Sequence, residues 1–186
     1  MLIEFVGCPS SGKTTIAAKL FARIKEAELP AEFLVEQARS YIVEAKLFRQ
    51  TQDLVLDDRD QRSICEKQLK MESDWSFVCS PETILICDSS PLNSFLYMGS
   101  VTSSFKGPVL ARHRDLKPLV FECGYVNFNP LVRDSNRIHS QTQIKAIDEK
   151  VREFLVVNSI QTIPLQGSLD SKVAKAFDAV MAKVLE

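Results

Sequence analysis

The stretch that most constrains this chain is GCPSSGKT, residues 7–14. It sits directly behind the apolar run LIEFV (2–6) and in front of KTTIAAKLFARIKEAE (13–28). LIEFV reads as a short buried strand. Ile16, Leu20, Phe21 and Ile24 recur at helical spacing, and Pro30 stops the helix. The spacing G-x-x-x-x-G-K-T between such a strand and such a helix is that of a phosphate-binding loop. Glycines let the backbone wrap tightly and turn its N–H groups toward an anion. The first turn of the following helix adds its own unpaired N–H groups and the positive end of its dipole. Gly7, Pro9, Ser10, Ser11, Gly12, Lys13, Thr14 and Thr15 are therefore the expected nucleotide-binding set. Lys13 is expected to place its charge at the β/γ-phosphates, and Thr14 to offer its hydroxyl to Mg²⁺. The expected cofactors are ATP and Mg²⁺. The loop leaves the acceptor open: water would make an NTPase or a switch, a substrate hydroxyl a kinase.

Further strands are expected at 32–36 (EFLVE), 83–88 (TILICD), 118–123 (PLVFEC) and 160–165 (IQTIPL). Helices are expected over 37–48, 52–75, 91–99, 110–117, 142–158 and 171–186, with a Ser/Gly/Pro loop at 100–108 and an irregular polar segment at 124–140. Strands alternating with helices predict an α/β fold, a parallel sheet covered by helices on both faces. No repeat, low-complexity tract or domain boundary interrupts the chain, so residues 1–186 are expected to form a single domain with 124–140 as a lid.

Composition narrows the setting. A net charge of −1 gives no global attraction to nucleic acid or membrane. The cysteines, Cys8, Cys65, Cys79, Cys87 and Cys123, show no metal-type spacing, which predicts free thiols in a reducing compartment. No run approaches the roughly 20 apolar residues that span a bilayer, and 2–6 is too short for a signal peptide. A cytoplasmic location follows, the host's if the protein is viral, with no membrane partner. The oligomeric state is left open.

Chemistry-bearing residues cluster after the strands. Asp88 ends the third strand, where an acid can hold Mg²⁺ through water or take a proton from the acceptor; its structural alternative is to cap the helix near Pro91. Glu36 and Arg39 stand three apart after the second strand. Glu36 can orient or deprotonate an acceptor hydroxyl, and Arg39 can clamp an acceptor phosphate or ring; the alternative is a surface ion pair. Arg133 and Arg137, four apart, suit a lid that neutralises charge on the transferring group. Lys13, Glu36, Asp88, Arg133 and Arg137 are the catalytic candidates; Glu36, Arg39 and Tyr97 the substrate-binding ones; Thr14 and Asp88 the metal-holding ones. His113 and His139 are expected at the surface, Phe77 in the core, and Trp75 or Tyr97 against an acceptor ring. Lys106, Arg112, Arg114 and Lys117 form a candidate basic groove. Cys8, inside the loop, is a candidate oxidation-sensitive thiol.

Four segments, GCPSSGKTT, VEQARSYI, ILICDSSPLNSFLYMG and PLVRDSNRIHS, carry a resemblance. Together they make the chain similar to the small P-loop kinases grouped with thymidylate kinase-like and ribosylnicotinamide kinase-like proteins, many of them phage-encoded. The first segment is highly specific for nucleotide binding, and the other three are weaker. The resemblance implies a three-layer P-loop NTPase fold with a five-stranded parallel sheet, ATP-Mg²⁺ as donor and a lid bearing arginines. Relatives often carry Asp-Arg-Ser where this chain has Asp88-Ser89-Ser90. The missing arginine weighs against a standard nucleoside or mononucleotide acceptor. One phage branch of the group phosphorylates 5-hydroxymethyluracil in DNA, which requires an extruded base. The leading expectation is an ATP-dependent kinase acting on a hydroxyl of a nucleoside- or nucleotide-type acceptor. A DNA-base kinase and a P-loop NTPase switch are the alternatives. The absence of an Asn-Lys-x-Asp motif counts against a GTPase switch, and the near-neutral charge counts mildly against tight DNA binding.

Overall fold

The computed structural model describes residues 1–51, 54–100, 102–124 and 141–186. Strands β1 (Leu2–Gly7), β2 (Ala31–Leu34), β3 (Ile84–Cys87), β4 (Leu119–Cys123) and β5 (Ile163–Leu165) form one sheet in the order β2-β3-β1-β4-β5. Every pairing is parallel. Helices α1 (Lys13–Glu26), α2 (Gln37–Arg49), α3 (Asp58–Val78), α4 (Ser103–Leu116), α5 (Gln141–Val157) and α6 (Leu169–Val184) connect and cover it, with a short 3-10 helix at Pro91–Leu96. This is the expected three-layer P-loop fold.

Alternation along the strands sorts the two faces. Ile3 and Phe5 of β1, Ile86 of β3 and Phe121 of β4 pack with Ile16, Leu20 and Ile24 of α1 and with Val173, Ala176 and Val180 of α6. The opposite face presents Val6 and Val120 to Ile144, Ile147 and Val151 of α5. It also presents Leu85 and Cys87, with Met71 of α3 beside them. Glu4, one residue from Phe5, is buried on that face at 1% exposure.

Several elements differ from expectation for local reasons. β2 stops at Leu34, and Glu36 becomes the residue ahead of α2. α3 starts at Asp58 because Asp57 and Asp60 cap each other's backbone N–H groups reciprocally. Residues 91–96 form a 3-10 helix, with the Ser90 hydroxyl accepting from Leu92 N–H. α4 begins at Ser103 and runs through Gly107 and Pro108, where a loop was expected. Phe105 and Val109, four apart and buried, hold it down, Phe105 edge-on to Phe95 at 5.7 Å. That packing outweighs the hydrogen bond lost at Pro108.

Phe77 is a correction: it is 90% exposed. The buried stripe of α3 runs through Gln61, Ile64, Cys65, Gln68 and Glu72. Five residues beyond Glu72, Phe77 points away from that stripe. The stripe is polar where a surface helix usually buries aliphatic side chains.

Candidate active site

β1, β2 and β3 all deliver their functional residues at the carboxyl edge of the sheet, the usual ligand crevice of a parallel sheet. Gly7 closes β1 with φ 153°, and a Cβ there would stand 2.1 Å from the Cys123 carbonyl oxygen of β4, so the position requires glycine. Ser10 (φ 63°) and Gly12 (φ 88°) take left-handed backbone on either side of Ser11, which turns successive N–H groups to one side. Gly12 precedes α1 without a side-chain cap. The first N–H groups of α1 are thus free of intrahelical partners and of a competing hydroxyl or carboxylate. Lys13 Nζ donates to the Gly7 and Cys8 carbonyls at 3.0 and 2.9 Å. An ammonium has three N–H donors, which leaves one for a ligand.

Thr14 Oγ1 donates to Asp88 Oδ2 at 3.0 Å, which brings the two expected metal-holding residues together. Asp88 is 3% exposed, and its Oδ1 is buried without a hydrogen-bond partner; Ser11 Oγ is in the same state. Burial raises the Asp88 carboxyl above its ordinary range, the Thr14 hydrogen bond opposes that, Glu36 pushes it further up, and Lys13 and Arg39 pull it down. Lys13, Thr14, Glu36, Arg39 and Asp88 therefore occupy one electrostatic neighbourhood. Asp88 caps nothing: Ser90 caps the 3-10 helix instead.

The orphaned carboxylate oxygen, the neighbouring hydroxyl and the glycine cradle fit a nucleotide with its Mg²⁺. Among the described residues no cluster of three His, Cys, Asp or Glu side chains could hold a metal alone. That suits Mg²⁺, which keeps waters and phosphate oxygens and needs only one or two protein oxygens.

A small pocket opens beside this group. Glu36, Gln37, Gln61, Gln68, Asn93 and Tyr97 are among its lining residues. Burial pushes the Tyr97 phenol well up, with Glu36 and Cys8 adding to the shift. Sequence reading missed Asn93. Its Oδ1 accepts from Gly7 N–H at 3.2 Å, while its Nδ2 donates to the Phe5 carbonyl and to Ser89 Oγ. One amide side chain thereby staples the start of the phosphate loop to the segment after β3. An asparagine directly after a Pro-Leu pair carries no such signal in sequence.

Several other expectations are overturned. Cys8 is fully buried and its thiol is pushed up to about 12, by burial first and then by Asp148, so it is a poor nucleophile rather than an oxidation-sensitive one. His113 is not a surface residue: its side chain is 13% exposed and its Nδ1 lies 3.6 Å from Glu4 Oε2. Arg112 does not belong to a free basic groove, because its guanidinium lies 2.9 Å from the buried Glu72. Lys106 stacks on Phe154 at 5.0 Å. Trp75 lies near the end of α3 and does not line the pocket. Arg133, Arg137 and His139 lie outside the described residues. All five cysteines are free, as expected. No helix among the described residues is long and apolar enough to cross a membrane.

A family model described as an AAA domain matches residues 2–172. The chain belongs to that family. Among solved structures it is similar to deoxyadenosine kinase from M. mycoides, determined with products dCMP and a flexible dCDP bound (TM-score 0.61, 12% identity, covering 98% of this chain and 100% of that one). It is similar to a NadR protein in complex with NAD and AMP-PNP (TM-score 0.65, 18% identity), where it is covered fully but spans 49% of the other chain. It is also similar to thymidylate kinase from Candida albicans (TM-score 0.58, 15% identity, 100% of this chain and 93% of that one). At these identities the likeness establishes a kinase-like P-loop fold. A search of curated proteins gives no match.

Proposed function

We propose that this chain is an ATP-dependent phosphotransferase that moves the γ-phosphoryl group to a hydroxyl of a nucleoside- or nucleotide-type acceptor. One observation carries the reading: a pocket lined by Glu36, Gln37, Gln61, Gln68, Asn93 and Tyr97 opens beside the phosphate loop and beside the Thr14–Asp88 pair. A switch or a bare NTPase needs no such compartment. The Gln61 carboxamide offers a paired donor and acceptor, the chemistry of a heterocyclic base edge, while those of Asn93 and Gln68 are engaged by the phosphate loop, Gln37 and Glu72.

In this reading the loop N–H groups from Ser10 to Thr15 and the spare Lys13 donor hold the phosphates. Thr14 and Asp88 hold Mg²⁺, which neutralises phosphate charge when bound. Glu36 receives the acceptor proton and Arg39 orients the acceptor. Arg133 and Arg137 of the 124–140 segment are proposed, from sequence, as lid arginines of a single P-loop domain. Asp88, buried and hydrogen-bonded to Thr14, is the less suited base.

The test is ATP γ-phosphate transfer against free nucleosides, mononucleotides and nicotinamide riboside, and against DNA with and without 5-hydroxymethyluracil. Label on a free acceptor supports the reading. Label only on modified DNA replaces it with the base-kinase alternative. ADP release independent of every acceptor leaves an NTPase. The pairing of Arg112 with Glu72 removes one cation from the groove that a DNA substrate would use.

A further inference from the structure

The acceptor pocket rests on a buried charged layer that the proposed chemistry does not use. Glu72 of α3 is 0% exposed, and its two oxygens have different neighbours. Oε2 faces Arg112 of α4 at 2.9 Å. Oε1 accepts from Gln68 Nε2 at 3.1 Å. Gln68, 3% exposed, uses its other end to accept from Gln37 N–H at 3.2 Å. Gln37 is the first residue of α2, and Glu36 before it makes no side-chain cap of its own. The Gln68 carboxamide therefore caps α2 from the neighbouring helix and leaves the Glu36 carboxylate to the site.

We propose that Glu72 is a positioning residue for the acceptor side of the site: its carboxylate fixes the direction of the Gln68 carboxamide, which caps α2 and so sets where Glu36 stands. The inference rests on the phosphotransferase reading for its effect on the acceptor, but not for the link from Glu72 to α2.

The geometry makes the link sensitive to one proton. The Arg112 guanidinium lies 2.9 Å from Oε2, an oxygen that accepts no hydrogen bond, and its charge disfavours a proton there, so a proton on Glu72 sits on Oε1, the oxygen that faces Gln68. An O–H donor there meets the N–H₂ donor of Gln68 and turns the amide over. The amide nitrogen then confronts Gln37 N–H, donor against donor, and the cap is lost. Other groups face Glu72 from each packed element: Glu4 from β1, Cys87 from β3, Cys65 from its own helix, and Arg112 from α4, with His113 beside Glu4. Burial and the Glu4 charge push Glu72 up to about 7, against the pull of Arg112, which puts the changeover near neutral pH.

The experiment follows the Gln37 backbone amide of the full chain by ¹⁵N NMR across about pH 5 to 9, alongside acceptor and ATP KM values, since one linked proton changes an equilibrium by at most about tenfold per pH unit. In the wild type the Gln37 amide is expected to titrate with Glu72, and acceptor KM to rise as pH falls, with ATP KM unmoved. Glu72→Gln is expected to be flat at the acid-side value, because Arg112 takes the amide oxygen and the N–H₂ faces Gln68. Adding Gln68→Glu to Glu72→Gln restores an acceptor beneath Gln37 N–H and is expected to return its wild-type alkaline resonance. A Gln37 amide that ignores pH while Glu72 titrates, or an acid limb in acceptor KM that survives Glu72→Gln, overturns the inference. If Gln37 responds as expected and no acceptor takes label, the phosphotransferase reading falls and the link to α2 stands.

Discussion

On one side of the sheet, α1 and α6 close over Ile3, Phe5, Ile86 and Phe121 in an apolar cluster. On the other, α3 and α4 close over Glu4, Glu72, Gln68, Arg112 and His113. Both faces are packed, but they ask different things of the chain. The apolar face gains stability from area removed from water, with little demand on direction. The charged face must offset the desolvation of two carboxylates, and it does so only if every partner stands in place. It yields orientation instead: Ser90 donates to Glu4 Oε2 at 2.6 Å, and Gln68 links Glu72 to α2. The pocket lies over the directional face, where Ser90 and Gln68 line it.

The largest test bears on the edge that both faces share. Lys13→Ala is expected to cost transfer at least on the order of a hundredfold, the scale for one preorganised charge-stabilising donor, while circular dichroism shows the fold intact. Near-normal turnover would remove the phosphate-site assignment. Next comes the apolar face: Phe5→Ala is expected to lower unfolding free energy by about 3–5 kcal/mol in urea titration, because Phe5 is fully buried against Phe121 at 5.4 Å.

The charged face is expected to answer differently to single and paired changes. Glu72→Leu strands Arg112 and should cost about 3 kcal/mol, whereas Glu72→Leu with Arg112→Leu should return most of that loss, because an apolar pair of similar volume needs no desolvation. Additive losses in the double variant would place the two faces under the same rule. A smaller effect comes from pH. The Glu72 carboxyl is raised in the fold to about 7, so between its ordinary range near 4.5 and 7 the folded chain binds more proton than the unfolded chain. Its stabilising contribution is fully present below that window and is lost as pH rises through 7. The stability difference between wild type and Glu72→Gln should therefore fall over that interval and flatten above it. Stability and the alignment of α2 thus pull in opposite directions at neutral pH. Smallest of all, Phe77→Ala should change stability by no more than about 0.5 kcal/mol, since the ring is 90% exposed.

The sequence alone specified the phosphate loop. Gly7, Gly12, Lys13 and Thr14 act through backbone conformation and through residues adjacent along the chain, and their spacing encodes both. It also determined the five parallel strands, whose apolar runs are local, and the order in which Glu36 and Asp88 leave them. Of the residues lining the pocket, Glu36 and Tyr97 were legible in the sequence, and only tertiary contacts placed the rest. Asn93 reaches the phosphate loop across 86 residues of sequence, and Arg112 reaches Glu72 from another helix. A partner that far away leaves no spacing to read. Glu4, a carboxylate between Ile3 and Phe5 in an apolar strand, was the one visible sign that this face would be polar. Phe77 and His113 exchanged their expected places for the same reason: exposure follows the direction of a helix face against the sheet. Residue type does not supply that direction, and here the unusual demand of two buried carboxylates drew Arg112 and His113 inward.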